Sequence, residues 1–173
     1  MRQRGRFRII NAWAAALLVG LLTGPTSPAL AQDPDFLTIG IGGFDVNDNE
    51  TAAEFRIEYR SGRAFFFLKP MIGLPGNSKG GIYGYGGVNL DIYLGTRWVV
   101  MPSFAIRGYR RGSAKDLGSV IELRSGIEIA YRFANRARLG VAVSHISNAG
   151  ISDNNPGTES ILLSFSIPLR GTP

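Results

Sequence analysis

The chain has no cysteine and a single histidine. Without cysteine there is no disulfide framework, so stability has to come from strand pairing and burial. One histidine and no thiol argue against a zinc site, and the sequence implies no other cofactor. A phosphate-cradling glycine loop is missing too. The stretch "GIYGYGG" sits in an alternating segment with no helix to follow it. After residue 31 there is no long apolar run, which excludes helical membrane spans. That absence leaves a membrane β-barrel open, because its segments are short and alternating.

Acidic residues are absent from the first 31 positions, which are unlike the rest. Arg2, Arg4, Arg6 and Arg8 make a cationic start, and an apolar run follows from Ile9 to Leu22. Gly24, Pro25 and Pro28 then lead to Ala29-Leu30-Ala31. This order reads as a cleaved secretory signal peptide over residues 1–31. The alternative, a membrane-anchoring helix, would need a run of about 20 residues. Cleavage leaves residues 32–173 as one domain. The net charge of +6 (19 cations, 13 acids) falls to +2 once four arginines leave with the signal. The basic character belongs mostly to the signal and is no argument for a nucleic acid partner.

The remaining chain has period two, the mark of strands. In "AEFRIEYR", Ala53, Phe55, Ile57 and Tyr59 share one face, and Glu54, Arg56, Glu58 and Arg60 the other. "VIELRSGIEIAYR" sets Ile121, Leu123, Ile127, Ile129 and Tyr131 against Glu122, Arg124, Glu128 and Arg132. Trp98, Val100, Pro102, Phe104 and Ile106 form another apolar row, as do Ile82, Val88, Leu90 and Ile92 opposite Asn89 and Asp91. Leu37, Ile39 and Ile41 make a weaker strand, and Phe66, Leu68, Ile72 and Leu74 another. Leu139, Val141 and Val143 lead into His145, and Ile161 to Leu169 closes the chain.

The pattern predicts eight strands of about ten residues in an all-β, antiparallel barrel. The breaks "DVNDNE", "LPGNSKG", "GYRRGSAKDLG" and "GISDNNPG" are long; "RSGR", "LGT" and "FANRA" are short. Outer-membrane barrels alternate long outer loops with short periplasmic turns in this way. A soluble lipocalin-like barrel would have the same period with its apolar face inward. Export, the alternating breaks and near-balanced charges on the polar face favour the transmembrane barrel.

The lone histidine lies in "SHISNAGISDNNPGTES". His145 and Ser147 share the parity of Leu139, Val141 and Val143, and Glu159 shares that of Ile161 and Leu163. All three therefore point to the apolar face beside one loop. Residues two apart on a strand are about 6.6 Å apart. With Glu159 roughly opposite Ser147 and diagonal to His145, the set suits a Ser–His–acid triad, which is recognised by roles and not by chain order. The plainer reading is an interfacial histidine, a solvated glutamate and turn formers at Asn148, Gly150, Asn154, Asn155, Pro156 and Gly157. Strand seven runs outward, so the three residues lie at the outer leaflet. There a charged group on the lipid face costs only ~0–1 kcal/mol.

"SHISNAG" followed by "NNPGTES" resembles the PagL-type lipid A 3-O-deacylases, eight-stranded outer-membrane barrels with a His-x-Ser-Asn motif and a glutamate twelve residues after the serine. His145, Ser147, Asn148 and Glu159 match both spacings. The resemblance implies Ser147 as nucleophile, His145 as general base and Glu159 as orienting acid. It also implies an oxyanion site around Asn148, with N–H groups near Ala149 and Gly150. Lipid A of the outer leaflet would be the substrate, with outer-membrane lipids as surroundings and a homodimer as an admissible assembly. Arg110, Arg111 and Lys115 in the fifth break could meet lipid A phosphates, or simply be solvated. A non-catalytic barrel and a phospholipid esterase with the same site are the competing readings. The end of the chain departs from many outer-membrane barrels: it runs past Phe165 and Leu169 to Arg170-Gly171-Thr172-Pro173 instead of closing on an aromatic residue.

Overall fold

Alternating side chains need two different environments, and the fold supplies them by curling one sheet into a closed barrel. The structure, a computed structural model, describes residues 33–169. The signal-peptide segment 1–31 and the terminal Arg170–Pro173 lie outside the described residues. The strands are β1 (Phe36–Phe44), β2 (Ala52–Arg60), β3 (Lys69–Asn77), β4 (Ile82–Asn89), β5 (Ile92–Leu94), β6 (Trp98–Arg110), β7 (Ile121–Arg132), β8 (Arg138–Ser147) and β9 (Thr158–Pro168). All pairings are antiparallel in the order β4-β3-β2-β1-β9-β8-β7-β6-β5, and β4 with β6 closes the ring.

Nine segments make eight staves, because β4 and β5 are pieces of one strand. Asn89 faces Ser103 and Ile92 faces Val100, so the register runs through the gap unshifted. The Leu90 N–H donates to the Pro102 carbonyl at 3.0 Å, but Pro102 has no N–H to return. That one missing bond interrupts the strand.

The apolar face points out. Phe55, Ile57, Ile72, Leu74, Phe104, Ile106, Val141 and Leu163 are all exposed. The lumen holds Glu54, Arg56, Glu58, Arg60, Arg107, Glu122, Arg124, Glu128 and Arg138, all buried. This inverts a lipocalin-like barrel and is the arrangement of a transmembrane barrel. Several of the lumenal charges are paired, some of them across the ring. Arg60 reaches Glu128 at 2.6 Å and also bonds Glu58. Asp91 accepts from Lys69 at 2.8 Å and Arg138 at 2.9 Å. Above this network Phe44, Tyr83, Tyr109 and Ile146 pack with Ala114 and Leu117 of loop 111–120 and close this end of the lumen.

Two breaks differ from the sequence expectation. β3 begins at Lys69, not near Phe66, because Phe65 to Leu68 form a tight reversal of their own with Phe66 at φ 58°. β3 then runs on through Leu74-Pro75-Gly76 to Asn77. The second break is therefore the longer one, residues 61–68, and the third shrinks to 78–81.

Candidate active site

The site grows out of the outward row of β8. Val141 and Val143 are exposed on it, and His145 and Ser147 continue the same parity. On β9 the matching row is Glu159, Ile161, Leu163 and Phe165. The register places Glu159 directly opposite His145, with Val143 opposite Ile161. The expectation of Glu159 opposite Ser147 is thus off by two residues. The β8–β9 pairing ends at Ile146 opposite Thr158, so Ser147 has no partner on β9. On the other flank β7 presents Ser125 to His145 and Leu123 to Ser147.

Direct opposition brings imidazole and carboxylate together. His145 Nδ1 and Glu159 Oε1 are 2.9 Å apart, with the imidazole half-exposed. A neutral ring that donates from Nδ1 keeps Nε2 as an acceptor. The second carboxylate oxygen, Oε2, is shielded and bonds to nothing among the described residues. The carboxylate therefore spends its hydrogen bonding on the ring. The Ser147 hydroxyl sits half-buried two residues along, and no hydrogen bond joins it to His145 among the described residues. Catalytic hydrogen bonds of this kind often tighten only when substrate is present.

Gly157 borders the other side of the ring. It has φ 64°, and a Cβ there would lie 3.1 Å from His145 Cε1 and 3.7 Å from Nε2. The sequence marks it only as a turn former. The structure gives it a second reason to lack a side chain.

Asn148 is wholly buried and fully engaged. Its Nδ2 donates to the Leu117 carbonyl, Ser152 Oγ and the Asn154 carbonyl at 3.0, 2.9 and 2.7 Å. Its backbone N–H donates to Asn155 Oδ1 at 3.0 Å, and its Oδ1 accepts the Gly150 N–H at 2.9 Å. Asn148 thus ties loop 148–157 to itself and to loop 111–120. Of the three residues expected around an oxyanion, Ala149 alone keeps a backbone N–H without a partner among the described residues, and it takes φ 52°.

Residues far away in sequence hold the carboxylate strand. Buried Asp45 accepts from Thr158 Oγ1 at 2.7 Å and from Lys115 Nζ at 2.8 Å. Lys115 also reaches Asp48 at 3.1 Å, and the Val46 N–H donates to the Glu159 carbonyl at 3.2 Å. Burial pulls the Lys115 pKa down, but the Asp45 and Asp48 carboxylates outweigh it and leave the pKa raised. Sequence reasoning did not find Asp45 or Thr158, and nothing local signals them. Of the cations expected near phosphates, Lys115 is drawn into this clamp and Arg111 pairs with Asp116 at 2.6 Å. Arg110 is exposed on the outward end of β6, with no ion pair among the described residues. No three His, Cys, Asp or Glu side chains converge as a metal site among the described residues.

Residues 51–168 match the sequence profile of the lipid A 3-O-deacylase (PagL) family. The lipid A deacylase PagL of Pseudomonas aeruginosa is 38% identical over 65 residues, which covers 38% of this chain and 37% of that protein. The aligned stretch thus spans little more than a third of that curated relative. The crystal structure of the outer membrane enzyme PagL superposes with a TM-score of 0.63 at 16% identity, covering 78% of this chain and 99% of that one. Neisserial surface protein A superposes with a TM-score of 0.51 at 10% identity, covering 78% and 97%. At such identities the two structures speak for the fold alone.

Proposed function

The chain belongs to the lipid A 3-O-deacylase family, and from that premise we propose that it is an outer-membrane serine esterase releasing the 3-O-acyl chain of lipid A. The observation that carries the reading is the 2.9 Å imidazole–carboxylate pair on the lipid-facing surface, with a serine next on the same row. A carboxylate on an apolar face is hard to explain by packing. At the rim, beside an ester in the outer leaflet, it has work to do. On this reading residues 1–31 are a signal peptide, removed on export.

Ser147 Oγ attacks the ester carbonyl while His145 Nε2 takes its proton. Glu159 stabilises the imidazolium through Nδ1 and fixes its tautomer. General-base help of this kind contributes roughly 10²–10⁴-fold. The tetrahedral oxyanion meets the Ala149 N–H, and one such donor is worth about 3–4 kcal/mol. The donors of Asn148 and Gly150 are already used inside the loop. Asn148 therefore acts by holding Ala149 in place. The intermediate collapses, and the sugar oxygen leaves with the proton from Nε2. Water, deprotonated by the same nitrogen, then attacks the acyl-serine and frees the fatty acid. Arg110 is the cation best placed to meet a lipid A phosphate at the rim.

Mass spectrometry of lipid A from cells making the wild-type chain or Ser147→Ala tests the proposal. The expected result is loss of one ester-linked hydroxyacyl chain with wild type alone. Intact lipid A together with fatty acids released from phospholipid would transfer the same site to a phospholipid substrate. No change in either lipid would leave a non-catalytic barrel.

A further inference from the structure

The turn between β2 and β3 is more than a connection. Its base is built rigidly. The Gly62 N–H and Tyr59 hydroxyl both donate to Asp35, each at 2.7 Å, and the Ser61 N–H donates to the Pro70 carbonyl at 2.9 Å. Gly62 lies flush on the chain before β1, where a Cβ would come 1.9 Å from the Asp33 carbonyl. At the tip Phe65 and Leu68 exchange both backbone hydrogen bonds, at 2.9 and 3.1 Å, and enclose Phe66-Phe67 as a two-residue hairpin. Phe66 has φ 58° at the position where such turns take glycine. A bulky residue with positive φ is a conformational outlier, and outliers of this kind gather at functional segments. The strain displays side chains: Phe65, Phe66 and Phe67 are 75%, 85% and 55% exposed, with the first two rings edge to face at 4.8 Å. In water, both the strain and the exposure are unfavourable.

The surroundings say what covers the tip. It lies at the end of the barrel where β1 begins and β9 ends, opposite the catalytic rim, and it extends the outward row of Ile57, Tyr59 and Ile72. The same end carries the edge-to-face stack of Trp98, Tyr131 and Phe133, of the kind found at a membrane boundary. It also presents exposed Arg63, Arg97 and Arg136, none in an ion pair among the described residues. Aromatic rings beside unpaired guanidinium groups suit a glycerophospholipid leaflet, with acyl chains for the former and phosphates for the latter.

The geometry points to the Phe65-Phe66-Phe67 turn as a phospholipid-binding finger, inserted into the periplasmic leaflet at its headgroup–acyl boundary. Because that leaflet is glycerophospholipid, the finger gives the two ends of the barrel different lipid partners. The inference is independent of the esterase reading and stands or falls without it.

The absence of cysteine makes a single labelling site available. Phe66→Cys carrying a fluorophore, in the full mature barrel folded into phosphatidylethanolamine–phosphatidylglycerol vesicles, should be quenched several-fold more by lipids bearing a nitroxide near the headgroup than by aqueous iodide. Asn49→Cys on the opposite loops should show the reverse. Equal iodide quenching at both sites overturns the proposal and favours a periplasmic protein partner. Phe66→Gly gives a second readout that depends on sign. Glycine relieves the backbone, so a turn with no lipid role should become harder to unfold. A lipid finger should instead lower the urea midpoint of vesicle-bound protein. An unchanged or raised midpoint also overturns it.

Discussion

Gly157→Ala tests whether the imidazole position limits the reaction. Two penalties separate cleanly. The first is backbone strain, because an L-residue in the left-handed region costs roughly 1–2 kcal/mol. The second is contact: the new methyl would lie 3.1 Å from His145 Cε1, nearer than an ordinary van der Waals approach. The ring must then shift by a few tenths of an ångström, away from its bond to Glu159 and from the position in which Nε2 serves Ser147. A misplacement of about 1 Å can cost ~10²-fold in rate, so roughly tenfold is expected here. The control is Gly80→Ala, with φ 76° and nothing within 4 Å of the added carbon. It carries the strain without the contact. Fatty acid release from dispersed lipid A should give a lower kcat for Gly157→Ala with KM nearly unchanged. Gly80→Ala should be near wild type, and both should keep the gel shift between boiled and unboiled samples. Equal activity of the two variants would refute the argument.

Ser147→Ala and His145→Ala should each abolish deacylation with the gel shift intact, since neither side chain fills the lumen. Glu159→Ala should retain more activity than either, because it orients the base and does not attack. Lys115→Met leaves Asp45 buried with Thr158 alone. Breaking a fully buried pair costs roughly 3–5 kcal/mol, and the wetter Asp48 side argues for about 2, read as a lower urea midpoint; Lys115→Arg should recover most of it. With the Lys115 pKa raised, its stabilisation is complete below the ordinary lysine value of 10.5 and is lost only as pH rises through the raised value. Ile146→Val, opposite in parity and buried in the lumenal plug, should lower stability by about 0.5–1.5 kcal/mol while the rate barely changes.

The strands were legible because burial in a barrel wall has period two, and nearly every outward row expected from the sequence is exposed. The tip at Phe65 to Leu68 was not. Three phenylalanines read as strand, and a positive φ at a phenylalanine leaves no compositional trace. The β4–β5 interruption was hidden because its cause, Pro102, sits on the neighbouring strand. In the site, parity sufficed to put His145, Ser147 and Glu159 on one face. It could not fix the pairing, since a slip of two residues preserves every face. The clamp through Asp45, Thr158 and Lys115 joins residues 70 and 113 positions apart. Lys115 reads in sequence as a loop cation, either meeting a lipid A phosphate or solvated, and neither reading points to Asp45.

The charge pairs of the lumen constrain how this barrel can enter a bilayer. Arg60 on β2 finds Glu128 on β7, and Lys69 on β3 shares Asp91 with Arg138 on β8. A lone β2–β3 hairpin crossing the hydrocarbon would keep Glu58 beside Arg60 but would carry Lys69 without Asp33 or Asp91, and Arg56 without Glu128. An unpaired charge there costs several kcal/mol. Hairpins entering one by one would each meet that barrier. Insertion therefore has to be nearly simultaneous with closure, or proceed beside a surface that stands in for the missing acids until the ring is complete.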